Sequence, residues 1–254
     1  MLAQADAVTS WLSGLRPSAW RQPSALPGWT VLELAEHVAT VLRAVPTTLG
    51  RTTTGRPVPV AGYLARYAAA AEEIRDREVA AAADRSPAEV LAGLYAGRAA
   101  AAAAPPPTAR AVLAARGPIS PADYLVTRVI ELVVHADDLT RSVPDREPVE
   151  LDRGALRLAC QALGDVLAER APGRSVELRV PPYAAVQAVT GPRHTRGNPP
   201  AVVETDPVTW LRLATGRLPW ADAVQAGAVR ASGKRTDLTP WLPLLSSGPR
   251  SSEG

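Results

Sequence analysis

Three side chains in the first half of the chain combine residue types and spacings that suit a metal ion. In the run VIELVVH (129–135), Glu131 and His135 interrupt otherwise apolar residues at a spacing of four. At about 100° per residue such a pair lies within about 40° on one helical face, and Asp138 falls about 20° to the other side of Glu131. An ionised carboxylate buried in an apolar helix costs several kcal/mol, so Glu131 needs a cation, a hydrogen-bond network or a proton. The other histidine of this half is His37 in LAEHVATVL, flanked on its helical face by Leu34, Val38 and Val41. One His facing a Glu-x3-His pair supplies three N/O ligands, the pattern of an open zinc site with a position left for water or substrate. Facing helices of a bundle are where such sites are built.

Simpler roles compete. A lone histidine on an apolar face is more often a satisfied core residue. Arg128, one turn before Glu131, could neutralise it, and Asp138 could pair with Arg141. Asp138 could instead accept the second N–H of His135, as carboxylates commonly do for ligating histidines. Trp29, in PGWT, could border the site or act as a hydrophobic staple. His194 lies in GPRHTRGNPP, a composition of solvated loops, and is not counted as a ligand. Cys160, on a mostly apolar helix, reads as an inert core thiol.

The elements that must position these groups are mostly helical. Segments 2–15, 31–45, 61–83 and 120–142 carry helical periodicity, with a shorter Ala-rich helix near 87–104. Thr30 and Glu33 form a capping box, and Ser120, Pro121 and Asp123 open the last helix. The stretch 105–118 contains PPP and RGP and is expected as a loop; no strand alternation is visible in this half. After Asp145–Pro148 the pattern changes. A helix near 150–170 precedes the alternation of Val176, Leu178 and Val180, with further strands expected at 184–190, 200–204 and 227–232. A helix capped at Asp206–Pro207 and ended by Gly216, then a short one over 219–226, complete an α+β half. The fold class is thus α plus α+β, divided as 1–147, 148–245 and a frayed tail at 246–254.

The whole chain bounds the function classes. At 254 residues, 46% hydrophobic and 21% charged, it is an ordinary globular chain with room for two cores. The 28 basic and 25 acidic residues are interspersed, so the pI of about 9.4 does not imply a polyanion-binding face and no nucleic-acid partner is expected. The single cysteine excludes an intramolecular disulfide. MLAQADAVTSWL lacks a basic region before an apolar core and no run of about 18 apolar residues occurs, so a cytoplasmic protein without a membrane partner is expected. A monomer or weak dimer is the expected state.

The segments LPGWTVLELAEHV (26–38), VIELVVHADDL (129–139) and VVETDPVTWLRLATGRLPWADAVQAGAVRASG (202–233) resemble the mycothiol-dependent maleylpyruvate isomerase family over nearly the whole chain. The resemblance implies an N-terminal DinB-like four-helix bundle joined to a sterol-carrier-protein-like α+β domain. It also implies a metal held by His37, Glu131 and His135, zinc or another divalent ion, with mycothiol as thiol cosubstrate. In the family an arginine of the second domain reaches the interdomain cleft; Arg217 in ATGRLPW is the best match and Arg212 the second, as candidates for both catalysis and cosubstrate binding. Asp138 joins Arg217 as a candidate catalytic group. Zinc coordination deprotonates a thiol whose free pKa is near 8.5, giving a nucleophile at neutral pH. Attack on an electrophilic small molecule then permits cis–trans isomerisation. An S-transferase of detoxification or biosynthesis shares this metal chemistry, whereas a small-molecule or lipid carrier has no need of it.

Overall fold

The computed structural model of the chain describes residues 1–191 and 201–245; His194 and the tail 246–254 lie outside the described residues. Two compact units are present. One comprises Met1–Pro59 and Ala70–Ala155, the other Val60–Ala69 and Leu156–Gly254.

The first unit is built from α1 (Leu2–Ser13), α2 (Val31–Gly50), α4 (Ala71–Ala82), α5 (Pro87–Ala103) and α6 (Pro121–Ser142), with α3 (Val60–Leu64) intervening in the chain but belonging to the second unit. Helices α1, α2, α5 and α6 pack as a four-helix bundle and α4 lies against α2. Its core is Leu, Val, Ala and Trp, among them Leu12, Leu34, Leu42, Leu94, Leu132 and Leu139, all fully buried.

Both predicted helix starts are realised. Thr30 Oγ1 accepts from Glu33 N at 3.3 Å while Thr30 N donates to Glu33 Oε2 at 2.6 Å, a reciprocal cap contributing about 1 kcal/mol. Ser120 Oγ accepts from Asp123 N at 3.1 Å, with Pro121 at the first helical position.

Four departures from the sequence reading stand out. α2 does not stop at residue 45 but runs through Pro46 to Gly50; proline forfeits one backbone bond, yet its fixed φ is itself helical. The expected helix 61–83 is broken into α3, a 3-10 turn at Ala68–Ala70 and α4, because its first third belongs to the second unit, a tertiary demand that overrides propensity. The loop 105–118 contains a short hairpin, β1 (Val112–Ala114) with β2 (Gly117–Ile119). Finally, the first unit extends to Ala155. Gln4 donates to Glu150 O at 3.1 Å and accepts from Asp152 N at 2.8 Å, and Trp11 Nε1 donates to Glu147 O at 2.7 Å. Val149 joins the bundle core. The stretch after α6 is therefore strapped onto α1.

The second unit holds α7 (Arg153–Arg170, from Leu156 on), β3 (Val176–Val180), β4 (Ala184–Ala188), β5 (Ala201–Thr205), α8 (Pro207–Thr215), α9 (Trp220–Gln225) and β6 (Val229–Ser232). The sheet order is β4-β3-β5-β6, with β3 and β5 parallel and both outer pairs antiparallel. Val176, Leu178 and Val180 form its buried face, as their alternation requires. α7 lies close on this sheet, since a Cβ at Gly164 would come within 3.2 Å of Val186 Cγ1. Asp206 caps α8 by accepting from Val208 N and Thr209 N, and Gly216 at φ 76° ends it. Among the described residues no helix is long and apolar enough to cross a membrane.

Candidate metal centre

α2 and α6 bring His37, Glu131 and His135 together, and one ligand atom from each lies within 4.8 Å of the others. His37 sits on the inward face of α2, one turn above the capping box that fixes where that helix begins. The preceding loop is closed on itself. Ser24 N donates to Trp29 O at 2.7 Å and Val31 N to Gln22 O at 3.1 Å; Gly28 takes the left-handed φ of 79°. The loop is also tied to the end of α6, where Gln22 Nε2 donates to Ser142 O at 2.6 Å and Ala25 N to Ser142 Oγ at 2.8 Å. Trp29 is thereby set edge-on against His37, ring centres 5.6 Å apart. It borders the site and packs on the core at once.

His37 Nε2 lies 3.6 Å from Glu131 Oε2. The His37 and His135 rings meet edge to face at 4.9 Å. His135 Nδ1 and Asp138 Oδ2 are 3.0 Å apart, so the carboxylate receives the Nδ1–H and directs Nε2 away from itself. Asp138 also pairs with Arg141, which reaches Asp137 at 3.2 Å as well. Asp138 thus contacts His135 and Arg141 at once. Side chains of His37, Glu131 and His135 remain 11%, 13% and 10% exposed, enough for a small group to reach them.

The Arg128 pairing is realised too. Its Nη2 lies 2.8 Å from Glu131 Oε1, and the guanidinium also donates to Thr127 Oγ1 at 3.2 Å and stacks 5.0 Å from the Tyr124 ring centre. Glu131 thus has Arg128 on Oε1 and His37 across from Oε2. Burial works to raise its pKa, but Arg128, His37 and His135 outweigh burial and hold the carboxyl well below the usual range. For His37, burial works downward while Glu131 and Glu78 work upward, and the pKa stands raised to about 8.

The donor set fits a divalent ion. Ligands about 2.0–2.2 Å from a tetrahedral centre lie roughly 3.4 Å from one another, close to the 3.6 Å between His37 Nε2 and Glu131 Oε2. Two imidazoles and a carboxylate on packed helices suit zinc or another borderline cation.

Sequence reasoning missed Glu78 on α4. It is 1% exposed and its Oε1 lies 3.6 Å from His37 Nδ1. Nothing in AEEIRDREVAAA sets this glutamate apart from its charged neighbours; only the packing of α4 on α2 does. The other two candidates, Arg212 and Arg217, belong to the second unit and are partly buried. Arg217 Nη1 donates to Thr215 O at 2.9 Å, and Arg212 O accepts the capping N–H of Arg217 at 2.8 Å.

Residues 1–140 match the family model described as mycothiol maleylpyruvate isomerase N-terminal domain, and residues 152–244 match that described as bacterial SCP ortholog. Two crystal structures of the mycothiol-dependent maleylpyruvate isomerase, one of them a histidine-to-alanine mutant, share the fold. Each is 20% identical with a TM-score of 0.59, covering 91% of this chain and 89% of the other. No curated protein matches the sequence. With its N-terminal 140 residues matched and the expected architecture present throughout, the chain belongs to the mycothiol maleylpyruvate isomerase family.

Proposed function

We propose that this chain is a metal-dependent enzyme that activates mycothiol for attack on an electrophilic small molecule, with cis–trans isomerisation of a maleylpyruvate-type substrate as the reaction. The observation that carries the reading is the approach of His37, Glu131 and His135 to within 4.8 Å on facing helices. Family membership supports the thiol.

A divalent ion, zinc by preference, would supply a Lewis acid that keeps the thiol sulfur ionised at neutral pH. The chain's own residues do the rest. His37 and His135 offer neutral nitrogens, Glu131 offers one carboxylate oxygen while Arg128 holds the other, and Asp138 fixes the ring of His135. Trp29 shields one side of His37 from water. Arg217, or failing it Arg212, holds the anionic group of the electrophile; a planar fork recognises a carboxylate in two places at once and stabilises charge developing beside it.

The test is purification with metal analysis, followed by incubation with mycothiol and maleylpyruvate and chromatography of the products. Fumarylpyruvate formed only with both metal and thiol is the expected result. A stable S-conjugate by mass spectrometry would instead assign a transferase, and no reaction with any thiol and electrophile would leave a carrier. Arg217→Ala and Arg212→Ala proteins that both keep full turnover would remove the arginines from the scheme.

A further inference from the structure

His37 is the one member of the triad whose outer nitrogen faces another helix. α4 is a polar helix, with Glu72, Glu73, Asp76 and Arg77 exposed to solvent. Glu78 is the exception, turned inward and 1% exposed. Burying a carboxylate is costly unless it is held, and this one is held on both oxygens. Thr40 Oγ1 donates to Oε2 at 3.0 Å, and Arg77 Nη2 donates to Oε1 at 2.8 Å. Thr40 in turn accepts from Arg43 Nη2 at 2.8 Å, and the same nitrogen donates to buried Glu36 at 2.6 Å. With its hydrogen directed to Glu78 and its lone pair taken by Arg43, the Thr40 hydroxyl has one orientation. The carboxylate so fixed places Oε1 3.6 Å from His37 Nδ1, a buried nitrogen that makes no hydrogen bond.

A neutral imidazole has two forms, and only the one carrying hydrogen on Nδ1 presents the Nε2 lone pair. Glu131, 3.6 Å from Nε2, favours hydrogen on the wrong nitrogen whenever no cation lies between them. An acceptor at Nδ1 must oppose it. For His135 that acceptor is Asp138, three residues along the same helix. α2 offers His37 no such residue, because Glu36 points to Arg43 and Thr40 is occupied. Resting on the metal reading above, we propose that Glu78 is a positioning residue. When a cation is held it closes the 3.6 Å gap to receive the Nδ1–H of His37, directs Nε2 toward Glu131 and His135, and makes α4 part of the metal centre.

The experiment measures zinc affinity by competition with a chromophoric chelator in the wild type, Glu78→Ala, Glu78→Gln and Thr40→Val. Alongside it run the visible spectrum of the cobalt-substituted proteins and the His37 Nδ1–H proton signal of the zinc-loaded proteins by nitrogen-correlated NMR. Glu78→Ala weakens zinc binding about 10- to 100-fold, shifts the cobalt bands and loses the Nδ1–H signal to exchange. Glu78→Gln, whose amide oxygen still accepts, keeps the signal and loses less affinity. Thr40→Val weakens binding about fivefold, the equivalent of one lost hydrogen bond, and carries the test with Glu78→Gln if the alanine protein does not fold. Unchanged affinity and an unchanged Nδ1–H signal in the folded variants overturn the role of Glu78 while leaving the metal reading intact. A wild type that binds no zinc or cobalt overturns both.

Discussion

Nε2 of His37 faces Oε2 of Glu131 across 3.6 Å, a gap too long for a hydrogen bond and close to the separation of two ligands on one ion. α2 and α6 therefore hold the two donors at a spacing that suits ligands of one ion. Leu34 on α2 and Leu132 and Ala136 on α6 belong to the same buried core.

Replacing one proposed ligand is expected to remove the ion. The wild type is expected to hold about one divalent metal per chain, and His37→Ala, Glu131→Ala or His135→Ala less than a tenth of that, because two ligands rarely retain zinc against buffer. Elemental analysis after gel filtration decides the matter, and full occupancy in His135→Ala would exclude this triad as the site.

Chelation lowers the melting temperature through mass action alone. Arg128 lies 2.8 Å from Glu131, so loss of the ion is not expected to strand the carboxylate. The expected loss is about 2.7 kcal/mol where free metal exceeds its dissociation constant a hundredfold. Arg128→Met removes the pairing, and in metal-free protein it is expected to cost about 3–5 kcal/mol more. Calorimetry of both proteins with and without metal gives the four values, and equal losses in wild type and Arg128→Met would refute the compensation.

Stability of the metal-free protein depends on pH through His37. Its folded pKa of about 8 stands above the ordinary 6.5, so the attraction to Glu131 and Glu78 is fully present below about pH 6.5 and is lost as pH rises through 8, a change of roughly 2 kcal/mol. Glu78, lowered to about 2 by the His37 and Arg77 contacts that outweigh its burial, reports the same pairing from its other end; its share is present above about pH 4.5 and lost as pH falls toward 2. Urea unfolding of chelated protein between pH 6 and 9 measures the first limb. His37→Gln should flatten it, and a wild-type stability that does not fall over this range would contradict the assignment.

The protein's own thiol is not expected to react. Cys160 is fully buried on α7, and burial first, then the nearby Asp206 charge, push its pKa up to about 12. Its Sγ approaches Pro207 O at 3.7 Å. Ellman's reagent should find no reactive thiol in the native protein and one after denaturation, and Cys160→Ala should retain turnover. Rapid labelling of the folded protein would reopen the question.

How much of this was legible in the sequence depended on range. Glu131, His135 and Asp138 share one face of one helix, so their convergence follows from a rise and a turn angle; His37 was legible because it sits on the apolar stripe of a capped helix. Thr30, Ser120, Asp206 and Gly216 act within three or four residues of themselves and fixed boundaries correctly. Glu78 was not legible. Its role needs α4 to lie on α2, a contact between residues 38 positions apart in a helix with almost no apolar stripe. The strap over 146–152 escaped notice for the same reason, since its partners Gln4 and Trp11 lie more than 130 residues away.

The second unit is discontinuous, gathering Val60–Ala69 with everything after Leu156. No single cut of the gene yields both halves whole: a fragment ending at 147 severs the partners of Gln4 and carries α3 with nothing to receive it. The order of synthesis meets the same difficulty. Ala61, Tyr63 and Leu64, all buried in the finished protein, leave the ribosome roughly 90 residues before the chain that completes their unit begins, which at about 5–20 residues per second is roughly 5–20 s of exposure. During that interval a chaperone has a defined apolar target in the nascent chain, and truncated messages should yield products that aggregate through it.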